Sequence, residues 1–254
     1  MAPGVVTPGR APIEVWLETL RVLDLPDLRG KSVLDIGAYD GFFSFAAEGL
    51  GATRVVALDE YVWCTDMAAY MRDWRAARDS GSSVPSPRDS DYWRPSELPG
   101  KRPFDAAHRF FGSKVEPIVG DFMTVDPARL GQFDVVLFLG ILYHMEDPLA
   151  AMRRVKEFMA PGGFLGIETE AMEIPGAPPA AFFEFFPGNE LNSDASNWWA
   201  PNSQAIEGLV RAVGLGEFKL LRGPTPRSGL GALQARLGRK RTRFRAIASA
   251  RKLV

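Results

Sequence analysis

Four short clusters in this chain carry the side chains that could do chemistry. The first is His144, one of two histidines, which follows the apolar run Phe133 to Leu139 in "FDVVLFLGILYHMEDPLAAM". An imidazole titrates near neutrality, so a histidine just past a strand end is suited to taking the proton of an attacking hydroxyl. The second is the pair Glu168 and Glu170 in "FLGIETE", whose i, i+2 spacing points both to one face of a strand. Carboxylates beside an imidazole would orient it, hold a substrate hydroxyl, or share a divalent metal through His144 and Glu170; Mg²⁺, a hard ion, prefers such oxygens. His108 reads as structural.

The third cluster is a series of acidic strand ends. In "SVLDIGAYDGFFSF" a short apolar run with Asp35 near its end leads into a turn bearing Gly37 and Gly41 and then into a helical pattern. The spacing differs from the dinucleotide fingerprint, and a carboxylate before the turn would repel a pyrophosphate. A cationic ligand is favoured over NAD. S-adenosylmethionine fits, since its amino group and sulfonium are cationic. Asp59, about 20 residues on, lies where it could accept from ribose hydroxyls. Asp121 and Phe122, after the third strand, would serve the adenine amino group and ring face.

The fourth is "FFEFFPGNELNSDASNWWAPN", Phe182 to Asn202, crowded with aromatics and short polar residues. Its Pro, Gly and Asn exclude a regular helix or central strand for most of its length. Trp198 and Trp199, beside Asn192, Asp194, Asn197 and Asn202, would wall a polar ring such as a sugar. The plainer alternative is a packed lid over the core.

These groups need a scaffold that brings strand ends together. Apolar residues recur at helical spacing over Ile13 to Leu23, and Pro26 and Gly30 break the pattern. Strands are expected at Ser32 to Ile36, Arg54 to Leu58, Val115 to Val119, Phe133 to Leu139 and Gly163 to Glu168, several of them almost continuously apolar, as parallel strands buried on both faces should be. A helix is expected over Pro148 to Phe158, stopped by "APGG". The alternation argues for an α/β fold: a Rossmann-like, doubly wound, mostly parallel sheet with helices on both faces. The whole chain, 1–254, reads as one domain with a polar, Pro-rich insertion at about 62–113, which is either a cap over the site or a surface excursion. "RLGRKRTRFR", Arg236 to Arg245, reads as a solvated loop leading into a final strand through Phe244, Ala246 and Ala248.

A formal net charge of −1 offers no global field for nucleic acid or an anionic membrane, so a small-molecule acceptor is expected and nucleic acid is not favoured. The single cysteine, Cys64, asks for no oxidising compartment, and neither a signal-peptide core nor a spanning apolar run is visible. A cytoplasmic setting follows as an expectation. A homo-oligomer stays open.

With these residues in view the chain resembles the class I methyltransferases over essentially its whole length. More narrowly, "VLDIGAYDGFFSF", the Leu142-Tyr143-His144 and Asp147-Pro148 signature, and "FLGIETE" resemble the branch containing the tRNA wobble-uridine carboxymethyltransferases. The resemblance implies S-adenosylmethionine as cofactor, held by Asp35, Gly37, Ala38, Tyr39, Gly41, Asp59, Asp121, Phe122 and Gly140. Family members carry Gly where Tyr39 stands, so Tyr39 is assigned to the acceptor pocket with Tyr143, Asp194, Asn197, Trp198 and Trp199. The tRNA enzymes have basic residues after the Tyr-His pair, whereas Met145 and Glu146 stand here. Ordinary methyl transfer is therefore expected: O-methylation of a small polar acceptor, a saccharide hydroxyl as in mycobacterial polymethylated polysaccharide biosynthesis, with His144 as base and Glu168 and Glu170 orienting it or binding Mg²⁺. The competing reading is an RNA-modifying methyltransferase in which Trp198 and Trp199 stack a base and the Arg239 to Arg245 cluster holds phosphates.

Overall fold

The computed structural model describes residues 12–82, 84–175, 179–194, 196–224 and 241–254. Of the basic run, 236–240 lie outside this set. Helix α1 (Ile13–Val22) precedes strand β1 (Ser32–Ile36), whose last four residues are buried. Then follow α2 (Phe42–Gly49), β2 (Arg54–Asp59), α3 (Tyr61–Cys64), α4 (Met67–Ser80), α5 (Arg102–Phe111), β3 (Glu116–Val119) and α6 (Pro127–Leu130). The second half runs β4 (Phe133–Leu139), α7 (Pro148–Glu157), β5 (Met159–Glu173), β6 (Phe183–Phe185), β7 (Trp199–Pro201), α8 (Ser203–Ala212), β8 (Leu215–Arg222) and β9 (Thr242–Lys252).

Seven strands form one sheet in the order β3-β2-β1-β4-β5-β9-β8. The first five strands are parallel to their neighbours, and β9 is antiparallel to both β5 and β8. This is the Rossmann-like class I methyltransferase fold. Apolar strand residues alternate between two cores, one per face. Leu34, Val136, Phe138 and Leu165 pack with α7 and α8 on one side. Val33, Val135, Leu137 and Ala57 pack with Ala47 and Phe104 on the other. Burial on both faces is what makes β4 a continuous apolar run.

Two elements differ from expectation. Strand β3 is an exposed edge, which tolerates Pro117 because its missing N–H need not reach a partner. The segment 182–202 does contain strand: β6 and β7 pair in a short antiparallel hairpin, Glu184 opposite Ala200. Each is only three residues long, so the polar turn between them hides the pattern.

Candidate active site

The crossover from β1 to α2 forms the floor of the site. Gly37 and Ala38 donate their N–H groups to Leu58 O at 2.8 and 3.3 Å, tying the turn to β2. Tyr39 is left-handed (φ 52°), a conformation a non-glycine residue holds only when its surroundings fix it. Its N–H donates to Asp59 Oδ2 (2.9 Å), and its carbonyl accepts from Trp63 Nε1 (2.7 Å). Gly41 has φ 86°, and a Cβ there would lie 2.5 Å from the Phe45 ring and 2.7 Å from Phe104. The aromatic character of the turn is a packing device: Phe45 stacks on Phe104 of α5 (5.1 Å), while Phe42 and Phe43 meet Trp16 of α1.

The acidic strand ends do not act alike. Asp35 is 2% exposed and accepts from Ser44 Oγ at 2.6 Å; burial pushes its carboxyl up to about 7 against that hydrogen bond. It braces α2 against β1. Asp59 is 4% exposed and spends its oxygens on the N–H groups of Tyr39, Val62 and Trp63, with burial raising it to about 6. The expected ribose acceptor is therefore engaged in holding the turn. Its neighbour Glu60 stands at the strand end instead, 2.6 Å from Arg88. Arg88 comes from the insertion, lies 5.0 Å over Trp93, and reaches Asp121 at 3.5 Å. Asp121 Oδ1 also accepts from Met123 N (2.9 Å). Phe122 is buried and forms a T-shaped pair with Phe138 (5.5 Å).

Across the β4 and β5 ends, the short 3-10 turn Leu142–His144 carries Tyr143 and His144. Gly140, with φ 74°, starts that turn and donates to Glu168 O (2.9 Å). Glu168 and Glu170 do share a face, and Arg245 of β9 occupies it. Its guanidinium lies 2.6 Å from Glu168, 3.3 Å from Glu170 and 5.2 Å over the Tyr143 ring. Burial pushes Glu168 up to about 7, with Arg245 opposing. Glu170 also accepts from Asn192 Nδ2 (2.9 Å). The two carboxylates thus serve as counter-ions to Arg245, and their expected roles as metal ligands or as orienters of His144 do not fit this arrangement. Among the described residues, no group of three or more His, Cys, Asp or Glu is placed to hold a metal.

His144 Nδ1 instead meets Ser196 of the 182–202 segment, 2.9 Å from its carbonyl and 3.1 Å from its Oγ. Asp194 accepts from that Oγ at 2.6 Å. In the same loop Asn197 is buried and donates to Leu191 O (2.9 Å), and Asn202 caps α8 by accepting from Ala205 N (2.9 Å). These polar side chains hold the loop together. The aromatics face outward more: Phe185 is 51% exposed and lies nearly parallel to Trp198 (6.4 Å, 6°), with Trp199 tilted beneath (4.9 Å). Arg241 pairs with Glu184 of this hairpin, and Arg243 lies 5.1 Å over Phe186. His108, in α5, bonds Val115 O through Nε2 (2.9 Å).

Arg245, Ser196, Glu60 and Arg88 are the site residues that sequence reasoning missed. The signal for Arg245 was its place at alternate positions of a basic strand, which becomes readable once Glu170 is seen opposite it in the ladder.

A family model described as a methyltransferase domain matches residues 13–214. Among curated proteins, the tRNA U34 carboxymethyltransferase of Chromohalobacter salexigens is 24% identical over 197 residues, 78% of this chain and 48% of that protein. That of Desulfotalea psychrophila is 28% identical over 195 residues, 75% and 47%. The chain spans about half the length of the curated relatives it matches. Of solved structures, the N-terminal domain of EvdMO1 in the presence of SAH and D-fucose superposes with a TM-score of 0.58 at 15% identity, covering 99% of this chain and 89% of that one. An S-adenosylmethionine-dependent methyltransferase from Mesorhizobium loti gives 0.51 at 16%, covering 93% and 96%. At such identities these likenesses speak to the fold alone.

Proposed function

The chain belongs to the methyltransferase-domain family, and from that premise we propose that it transfers a methyl group from S-adenosylmethionine to a hydroxyl of a nucleoside in RNA. The observation that carries the acceptor is the nearly parallel pair of the exposed Phe185 and the half-buried Trp198, in a segment whose Glu184 and Phe186 hold Arg241 and Arg243. Parallel aromatic faces beside arginines suit a nucleobase and its phosphates. The names of the curated relatives point the same way. The saccharide acceptor expected from the loop composition loses its support, because Asn192, Asp194, Asn197 and Asn202 are spent on Glu170, Ser196, Leu191 and the α8 N-terminus.

The cofactor fits the strand ends, where the guanidinium of Arg88 already stands between Glu60 and Asp121 as a cationic, hydrogen-bond-donating group. Glu60, the backbone of the 37–41 turn, Gly140 and Tyr143 are the groups that would hold it. When bound, S-adenosylmethionine supplies a methyl group on a sulfonium. In-line transfer then depends on positioning, and His144 takes the acceptor proton. The insertion, reaching over with Arg88 and Trp74, caps the site on this reading. The methyl group, not a carboxymethyl group, is the unit transferred, since Arg245 already carries the two carboxylates Glu168 and Glu170. The same pairing leaves Glu168 and Glu170 out of a metal-binding role on this reading.

Fluorescence anisotropy with labelled total tRNA tests the acceptor. Binding should weaken steeply with salt, and Trp198→Ala should cost about tenfold in tRNA affinity while leaving S-adenosylmethionine affinity unchanged. Equal tRNA affinity for the variant and the wild type would contradict the reading.

A further inference from the structure

The tautomer of His144 is written in its surroundings. Nδ1 meets the Ser196 carbonyl at 2.9 Å and Ser196 Oγ at 3.1 Å. A carbonyl can only accept. The hydroxyl has spent its proton on Asp194 Oδ1 at 2.6 Å, so toward the ring it can also only accept. The neutral imidazole therefore carries its proton on Nδ1 and its lone pair on Nε2. His108 is the mirror case: its Nε2 faces the Val115 carbonyl at 2.9 Å, which puts the proton on Nε2.

Ser196 is itself held firmly. Asp194 Oδ1 accepts from its N–H as well (3.0 Å), and the Asn197 N–H closes onto Asp194 O (3.1 Å). Trp198 N donates to Tyr143 O at 2.8 Å, so the loop grips the turn that bears the histidine from both sides.

We propose that Ser196 and Asp194 are positioning residues for His144. Ser196 fixes the ring so that Nε2 faces the acceptor, and Asp194, acting through the Ser196 hydroxyl, stabilises the imidazolium that forms. As the acceptor oxygen bonds the methyl carbon and the sulfonium becomes a thioether, the hydroxyl proton passes to Nε2 while Nδ1 keeps its own. The inference rests on the reading of His144 as base. Tyr143 lies against the ring at 4.2 Å, Glu146 and Asp147 follow on its own segment, Tyr61 lies near Asp194, and Arg245 of β9 pairs with Glu168 and Glu170 of β5. Arg245 is matched by its two glutamates, and Asp194 is tied to the ring through a hydrogen-bonded hydroxyl.

The test uses the full chain labelled with ¹⁵N-histidine and long-range ¹H–¹⁵N correlation, with His108→Gln assigning the two rings. The expected spectrum shows His144 protonated at Nδ1 and His108 at Nε2. Ser196→Ala keeps the carbonyl but cuts the link to Asp194, so the His144 titration should move down by about half a pH unit or more, with His108 unmoved. Asp194→Asn should move it the same way, and Ser196→Thr should restore it. In turnover, Ser196→Ala should lower kcat about tenfold with KM little changed. A His144 protonated at Nε2, or a titration unmoved in both Ser196→Ala and Asp194→Asn, would overturn the proposal. Because the spectra need no acceptor, an enzyme that shows the expected spectra but does not modify RNA would count against the acceptor reading alone.

Discussion

Arg245 changes the meaning of its neighbours. Without it, Glu168 and Glu170 beside a histidine look like a hard-ion site; with its guanidinium 2.6 and 3.3 Å away they are a charge-neutralising pair. Arg245→Gln leaves Glu168 buried without its cation. The cost should be about 2 kcal/mol, discounted from the figure for a fully buried pair because Arg245 is itself partly exposed, and denaturant unfolding would measure it. His144 differs, since the groups bonded to its Nδ1 are a carbonyl and a hydroxyl and the nearest carboxylate in that chain, Asp194, acts through the hydroxyl. His144→Ala should lower turnover by about a hundredfold or more with S-adenosylmethionine binding intact. Turnover left at the wild-type rate would remove the histidine from the mechanism.

At the scale of elements, the β1-turn-α2 unit is set by buried contacts. A methyl group at Gly41 would meet the rings of Phe45 and Phe104 in a left-handed backbone, so Gly41→Ala should destabilise the fold by about 2 kcal/mol or more, read as a fall in Tm. Asp35 makes the same unit sensitive to pH. Its carboxyl is raised from an ordinary 3.8 to about 7, so the folded chain binds that proton more tightly than the unfolded chain. The stabilisation is present in acid and is lost as pH rises from about 4 to about 7. Asp35→Asn should flatten that decline, by up to about 4 kcal/mol between the two ends; a difference between variant and wild type that does not vary over this range would contradict the account.

Strand β4 was legible because an apolar run bounded by Gly131 and Gly140 admits little else, and the observed bounds match the expected ones. Strand β8 was not, since Glu217 and Lys219 interrupt its apolar residues and its ladder to β9 is irregular. The site was legible to the level of which strand ends carry carboxylates. Which of those carboxylates face outward was not, because Asp59 and Glu60 are adjacent in sequence and differ only in what the folded turn does with them. The Arg245–Glu170 and Ser196–His144 contacts join residues 75 and 52 positions apart, and only the sheet order and the loop path bring them together.

Across the whole molecule, the insertion and the 182–202 segment are in contact. Trp74 Nε1 of α4 donates to Ser193 O at 2.5 Å, next to Asn192, which bonds Glu170. Asn192 and Ser193 are both left-handed, so the contact is made by a constrained pair. Among the described residues no helix is long and apolar enough to cross a membrane. With Glu168 and Glu170 committed to Arg245, transfer should proceed equally with Mg²⁺ and with chelator; loss of transfer in chelator would contradict the assignment of those carboxylates as counter-ions. The most direct measurement is incubation with methyl-labelled S-adenosylmethionine and two acceptor pools, total tRNA and small oligosaccharides. Label is expected in the tRNA pool and is removed by His144→Ala, whereas label confined to the oligosaccharides would contradict a nucleoside acceptor.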